Sequence, residues 1–207
     1  MIYQKYIKRL FDIVLSTVMI FLLLPFYLVT AILVRIKLGS PVFFVQDRVG
    51  YKEKVFRLIK FRTMTNETDE NGELLPNEKR KTKFGNFLRK ISLDEIPEMF
   101  NILKGDMSFI GPRPLLIYYL PYYNDEQHKR HNVKPGFTCI ASVEGRNVIP
   151  WEESLKKDTY YAEHVSFLLD LKIFFQTIGV VIFRKGSPDA LASNRVPLME
   201  ALKNQKR

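Results

Sequence analysis

The hydropathy pattern is dominated by one apolar run, Ile13 to Val34, bracketed by Lys5, Lys8 and Arg9 before it and by Arg35 and Lys37 after it. At roughly 22 residues the run is long enough for a helix across a bilayer core about 30 Å thick. Pro25 falls in its middle, where it removes a backbone hydrogen bond and crowds the preceding turn, so a kink is expected. Cations at both ends give the positive-inside rule no preferred direction. Three topologies fit the pattern: a helix bent at Pro25 that enters and leaves on one side, a single span, and a signal segment cleaved near Val29-Thr30-Ala31. The third fits worst, because the apolar run continues past that site to Val34.

Beyond a boundary at Gly39-Ser40-Pro41 the period changes. Residues 41–46 and 54–62 are rich in β-branched and aromatic side chains, and the second segment alternates, which predicts a hairpin across Asp47-Arg48-Val49-Gly50. Residues 65–83 are polar and read as a loop. Phe84, Phe87 and Leu88 predict a short helix ending at Arg89-Lys90, where cations suit the dipole. Ser92-Leu93-Asp94-Glu95 has the form of a capping box, with Ser92 as N-cap and Glu95 reaching back to its amide, ahead of a helix that stops at Gly105. His128 and His131 read as polar helix-face residues with no zinc pattern around them. A helix follows Trp151, and residues 165–183 form an apolar stretch interrupted by Asp170, Lys172 and Gln176. That spacing of polar groups suits a core or interfacial amphipathic helix better than a span. The chain after Gly186 reads as a loosely held tail.

Composition narrows the partners. Thirty-two Lys and Arg stand against 22 Asp and Glu, a formal net charge of +10 in 207 residues. Such a surplus favours phosphorylated substrates, acidic lipid or nucleic acid. The lone Cys139 excludes an internal disulfide and a multi-cysteine zinc site. No glycine-rich nucleotide fingerprint occurs. A non-catalytic reading, a basic membrane scaffold binding acidic lipid or nucleic acid, therefore stands beside a catalytic one.

Candidate chemistry gathers around Asp94 and Glu95. A carboxylate in the first turn of a helix is held ionised by the helix end and can act as nucleophile or metal ligand. Lys60 and Arg62 share one face of the second strand and are candidate phosphate binders, or else solvated edge charges. Prolines on both sides limit the backbone freedom of Arg113, which suits bidentate phosphate binding, or else a surface loop whose arginine pairs with a carboxylate.

Taken together, several motifs resemble the bacterial sugar transferase family of polyprenyl-phosphate phosphoglycosyl transferases. They are Lys8-Arg9 with Phe11-Asp12, the block 60–64, Ser92-Leu93-Asp94-Glu95, the long block from Phe100 to Leu115, Lys134-Pro135-Gly136, Gly145-Arg146-Asn147, and residues 166–172. The pattern is most similar to the small members that transfer diacetylbacillosamine phosphate in bacterial N-linked protein glycosylation. The chain departs from relatives at Leu24-Pro25, where Ser-Pro is usual, and across Thr138 to Arg146.

The resemblance implies an α+β, mainly helical protein. Residues 1–38 would form a re-entrant, Pro-broken membrane helix, residues 39–186 one compact cytoplasmic catalytic domain with a small β-hairpin and interfacial amphipathic helices, and residues 187–207 a tail. It implies a bacterial inner-membrane enzyme that moves sugar-1-phosphate from a UDP-sugar to polyprenyl (undecaprenyl) phosphate and releases UMP, with no nucleic acid as partner. Asp94 would be the nucleophile and a ligand of Mg2+, with Glu95 its acidic partner. Lys60, Arg89 and Arg113 become candidate phosphate binders, and Arg146 and Asp170 further pocket or structural positions.

Overall fold

A computed structural model describes residues 2–145, 149–183 and 197–205. In chain order the elements are α1 (Lys8–Leu38), β1 (Phe43–Val49), β2 (Val55–Phe61), α2 (Asn77–Arg80), α3 (Lys83–Lys90), α4 (Glu98–Lys104), β3 (Ser108–Ile110), α5 (Asp125–His128), β4 (Gly136–Thr138), α6 (Ile140–Glu144), α7 (Trp151–Glu163), α8 (Phe167–Phe183) and α9 (Leu198–Gln205). The architecture is α+β and mainly helical, with β1 and β2 paired as a hairpin and β3 and β4 as a separate two-stranded parallel ladder.

The apolar run forms most of α1, a helix of 31 residues that continues on both sides of Pro25. Large side chains such as Phe21, Leu22, Phe26 and Ile36 point outward and are exposed, as expected of a surface that faces lipid rather than a core. Both halves of α1 nevertheless reach the seven-residue helix α4. The Arg9 guanidinium donates to the carbonyls of Ile102 and Leu103 at 2.7 Å each, and the Tyr27 ring meets Phe100 edge-on at 5.7 Å. A straight span would carry Tyr27 deep into hydrocarbon, where α4, with Glu98 and Lys104, cannot follow. The protein is therefore monotopic, with its remaining elements on one side of the membrane.

Contacts divide the chain into two units. In the unit of residues 14–46 and 57–101, Val34 and Leu38 of α1 pack with Phe61 of β2 and Leu88 of α3. Tyr27 and Phe43 stack against Phe61 at 5.0 and 5.5 Å between ring centres, geometry that aromatic pairs favour. Residues 65–83 are largely irregular apart from α2, as their polarity predicts.

The other unit comprises residues 2–13, 47–56 and the chain from Ile102 onward. One cluster joins Ile110, Val133, Ile140, Tyr161 and Ile173. A second joins Leu115, Tyr123 and Leu155 to Leu198 and Leu202. The second cluster corrects the expected loose tail, because α9 buries Leu202 completely. Its apolar spacing at 198 and 202 is the i, i+4 signal of a docked helix. His131 is likewise buried rather than on a polar face, and burial, with Arg130 beside it, pushes its imidazole down to about 3. At the centre of this unit Arg130 and Asp158 form a fully buried pair at 2.6 Å.

Candidate active site

Asp94 is placed by a sharp change of direction after α3. Thr82 caps that helix, accepting from the Gly85 amide at 2.9 Å. Gly85 is needed for close approach, since a Cβ there would lie 1.8 Å from the Thr63 carbonyl oxygen. This packing lets Arg89, in the last turn, donate from Nε to Thr63 Oγ1 at 2.8 Å. Ser92 then adopts the left-handed region at φ 58° and ψ 23° with no capping bond. The expected capping box is thus absent: residues 93–95 form a single 3-10 turn, and α4 begins only at Glu98, after Pro97. A non-glycine residue at positive φ costs about 1–2 kcal/mol, and such strain gathers where a side chain must be aimed.

Glu95 instead turns to Lys60, whose Nζ donates to it at 2.6 Å and also contacts Glu98 at 3.0 Å. Asn101 fixes this arrangement. Its Oδ1 accepts from the Ile59 amide at 3.1 Å and its Nδ2 donates to the Arg57 carbonyl at 2.7 Å, so α4 is bolted to β2 on either side of Leu58, just before Lys60. Asp94 is buried, and burial raises its carboxyl above the ordinary range. The Glu95 charge adds to that rise, while Lys60 and Arg89 oppose it. The site is a desolvated carboxylate held between one acidic neighbour and two cations, the environment expected of a group with a chemical task.

The other candidates sort clearly. Lys60, Arg89, Asp94 and Glu95 act on one another. Arg62, expected to bind phosphate, does not share their role: it is buried and its guanidinium donates to the carbonyls of Leu38 and Ser40 (2.9 Å to Ser40), closing the end of α1. The carboxyl end of α1 leaves carbonyls without helical partners, and the arginine just past β2 satisfies them. Arg113 and Asp170 belong to the other unit. Arg113 is exposed, and its carbonyl accepts from Arg130 at 2.7 Å, so the buried Arg130–Asp158 pair stiffens the segment that the flanking prolines already restrict. Asp170 is structural in this geometry, accepting from Tyr3, Lys8 and Tyr161 at 2.6 Å each. Arg146 lies outside the described residues. Sequence reasoning missed Glu98 and Asn101. Their signal was the recurrence of polar residues at 94/95, 98 and 101 along an otherwise apolar helix face.

The family model for bacterial sugar transferases matches residues 3–184. The chain belongs to the bacterial sugar transferase family. It is 49% identical over 180 residues to the uncharacterized sugar transferase EpsL of Bacillus subtilis, covering 87% of this chain and 89% of that one. It is 34% identical to the exopolysaccharide production protein ExoY of Rhizobium meliloti, over 87% of each chain. It is also 34% identical to a UDP-galactose-lipid carrier transferase of Erwinia amylovora, over 89% of this chain but 42% of that longer protein. The sugar transferase is thus an enzyme of the general phosphoglycosyl transferase type. The finer likeness to diacetylbacillosamine-phosphate transferases has no counterpart in the names of these three relatives.

Proposed function

We propose that this sugar transferase moves a sugar-1-phosphate from a UDP-sugar to polyprenyl phosphate at the cytoplasmic face of the bacterial inner membrane, in two steps through Asp94. In the first, an Asp94 carboxylate oxygen attacks the β-phosphorus of the donor. The bond from that phosphorus to the bridging oxygen breaks, its electron pair leaves with UMP, and the phospho-sugar remains as an acyl phosphate on Asp94. In the second, a phosphate oxygen of the polyprenyl phosphate attacks the same phosphorus and expels the carboxylate. Each step exchanges one phosphorus–oxygen bond for another, so no oxidant or net proton is needed.

The observation that carries this reading is the setting of Asp94: buried, next to Glu95, and opposed by Lys60 and Arg89. A nucleophilic carboxylate must be ionised yet poorly solvated, and these opposed influences give both. Lys60, bridging Glu95 and Glu98, offsets the Glu95 charge that disfavours that ionisation. Arg89, in the same unit as Asp94, supplies a guanidinium group of the kind that holds phosphate.

Mg2+ fits the donor chemistry. Among the described residues no cluster of three or more metal-ligating side chains occurs. Asp94 with Glu95 offers the one or two carboxylates that Mg2+ uses when substrate phosphates complete its shell. Asp94 would hold the ion, which when bound offsets charge on the phosphate oxygens. The test is Asp94→Asn in membranes supplied with a panel of UDP-sugars. UMP release should vanish for the donor that the parent protein uses, and release at the parental rate would defeat covalent catalysis. Salt-sensitive lipid binding by the parent protein, with no UMP from any donor, would favour a non-catalytic scaffold.

A further inference from the structure

A cavity rich in cations lies at the start of α1, lined by none of the residues assigned to transfer. The cavity of about 430 Å³ is lined there by Lys5, Lys8, Arg9, Lys134, Tyr51 and Asn132, among others, a size within the range of small-ligand pockets. Its one acid, Asp12, is committed: Asp12 accepts from Ser108 Oγ and from the Phe109 amide, both at 3.0 Å. Two of its cations are committed as well, Lys8 to Asp170 and Arg9 to the carbonyls of α4. The surplus positive charge rests with Lys5 and Lys134.

Gly105 shows how closely these cations converge. At φ +99° it takes a conformation that side chains rarely adopt, and a Cβ there would stand 3.2 Å from the Arg9 guanidinium and 3.4 Å from Lys134 Nζ. Two like charges thus meet over one bare glycine. Lys134 is half-buried, and burial together with Arg9 holds its ammonium below the ordinary range, against the pull of Asp12 and of Asp106. The nearby carboxylates of Asp12 and Asp106 offset this charge only in part.

The level of the cavity indicates the anion's source. Its α1 residues directly precede the apolar run that begins at Ile13. Beside them Phe167, at the start of α8, meets the rings of Tyr3 and Phe11 at 6.0 and 6.3 Å. Further along α8, Leu168 and Phe175 are 75% and 62% exposed. An exposed apolar helix face next to the entry of a membrane helix marks the interface plane, where headgroups lie. We propose that this cavity binds the phosphate headgroup of an anionic membrane lipid, with Lys5 and Lys134 as the residues that recognise its charge. The lipid is either the polyprenyl phosphate acceptor or an anionic phospholipid, and the two share the chemistry that Lys5 and Lys134 read.

The inference rests on the membrane location and not on the transfer reaction. It is tested by binding alone, in the absence of donor, so its failure leaves the Asp94 reading intact and the reverse holds too. Full-length protein in neutral detergent is titrated with geranyl phosphate, with dihexanoyl phosphatidylglycerol, and with dihexanoyl phosphatidylcholine as the zwitterionic control. At least one anionic probe should bind more tightly than the control, and the tighter of the two names the source. Removing a basic side chain costs about fivefold in affinity, so Lys5→Met/Lys134→Met should weaken that probe about thirtyfold. Lys134→Arg should retain it. If the double variant does not fold, Lys5→Met alone, at an exposed position, must still give the fivefold loss. Equal binding of all three probes, or anionic binding unchanged in the folded variants, would overturn the proposal.

Discussion

Replacing Lys60 by Met tests whether the cation that bridges Glu95 and Glu98 also governs Asp94. At 2.6 and 3.0 Å, each contact carries a gross attraction of about 1.5 kcal/mol in water-like surroundings and about 6 kcal/mol at an effective dielectric near 20. Desolvation cancels much of the larger figure. The side chains of Lys60, Glu95 and Glu98 are 20%, 28% and 6% exposed, between a surface pair and a buried one. The loss should therefore fall between the roughly 0–1 kcal/mol of exposed pairs and the roughly 3–5 kcal/mol of buried ones, at about 1–3 kcal/mol. In a chain of this size that lowers Tm by about 2–12 °C. The same substitution removes a charge that holds the Asp94 carboxyl down. The acid limb of the pH dependence of UMP release should then move to higher pH, because less of Asp94 is ionised at a given pH. Adding Glu98→Gln should restore much of the Tm. An acid limb that stays in place while Tm falls would refute the electrostatic link, and no change in either would refute the pairing itself.

Further outcomes follow from the same geometry. The carboxyl of Asp94 is raised in the native state, so its favourable contribution is complete below the unfolded value of about 3.9 and is lost as pH rises through the native one. Asp94→Asn should accordingly raise Tm at neutral pH and lose that advantage in acid, while abolishing transfer; a lower Tm at neutral pH would contradict the burial argument. Arg130→Met leaves Asp158 charged and buried and should cost about 3–5 kcal/mol, seen as a large fall in Tm, whereas a fall of only a degree or two would show that the pair is solvated. Leu202→Ala should cost about 2–5 kcal/mol if α9 is docked as described, and a change within thermal-shift error would restore the picture of a loose tail.

What the sequence disclosed was set by the range of the forces involved. The membrane helix was legible because a bilayer reads nothing but a long apolar run. Asp94, Glu95, Lys60 and Arg89 stood out in the sequence as acids and cations near a rigid turn, and the structure brings them together. The cap was misread because Ser-x-x-Glu is a local pattern, and the nonlocal attraction of Lys60 takes Glu95 away from it. Arg62 was misread for a related reason: its strand alternates as an edge strand would, and only the folded chain brings the open carbonyls of α1 to it. Glu98 and Asn101 became visible once α4 was set against β2, since a buried amide bridging two backbone groups has meaning only in three dimensions. The tail concealed α9 because a helix of eight residues offers too few turns for periodicity to stand out.

The central claim is that a phospho-sugar is carried on Asp94. It is tested most directly by mixing the purified protein with its UDP-sugar in the absence of acceptor, quenching, and measuring intact mass and peptide masses. The account predicts one phospho-sugar added per chain, confined to the peptide that contains Asp94, with one equivalent of UMP released, and the adduct discharged when polyprenyl phosphate is added. Full turnover with acceptor but no UMP and no adduct without it, or an adduct on any other residue, would contradict the account.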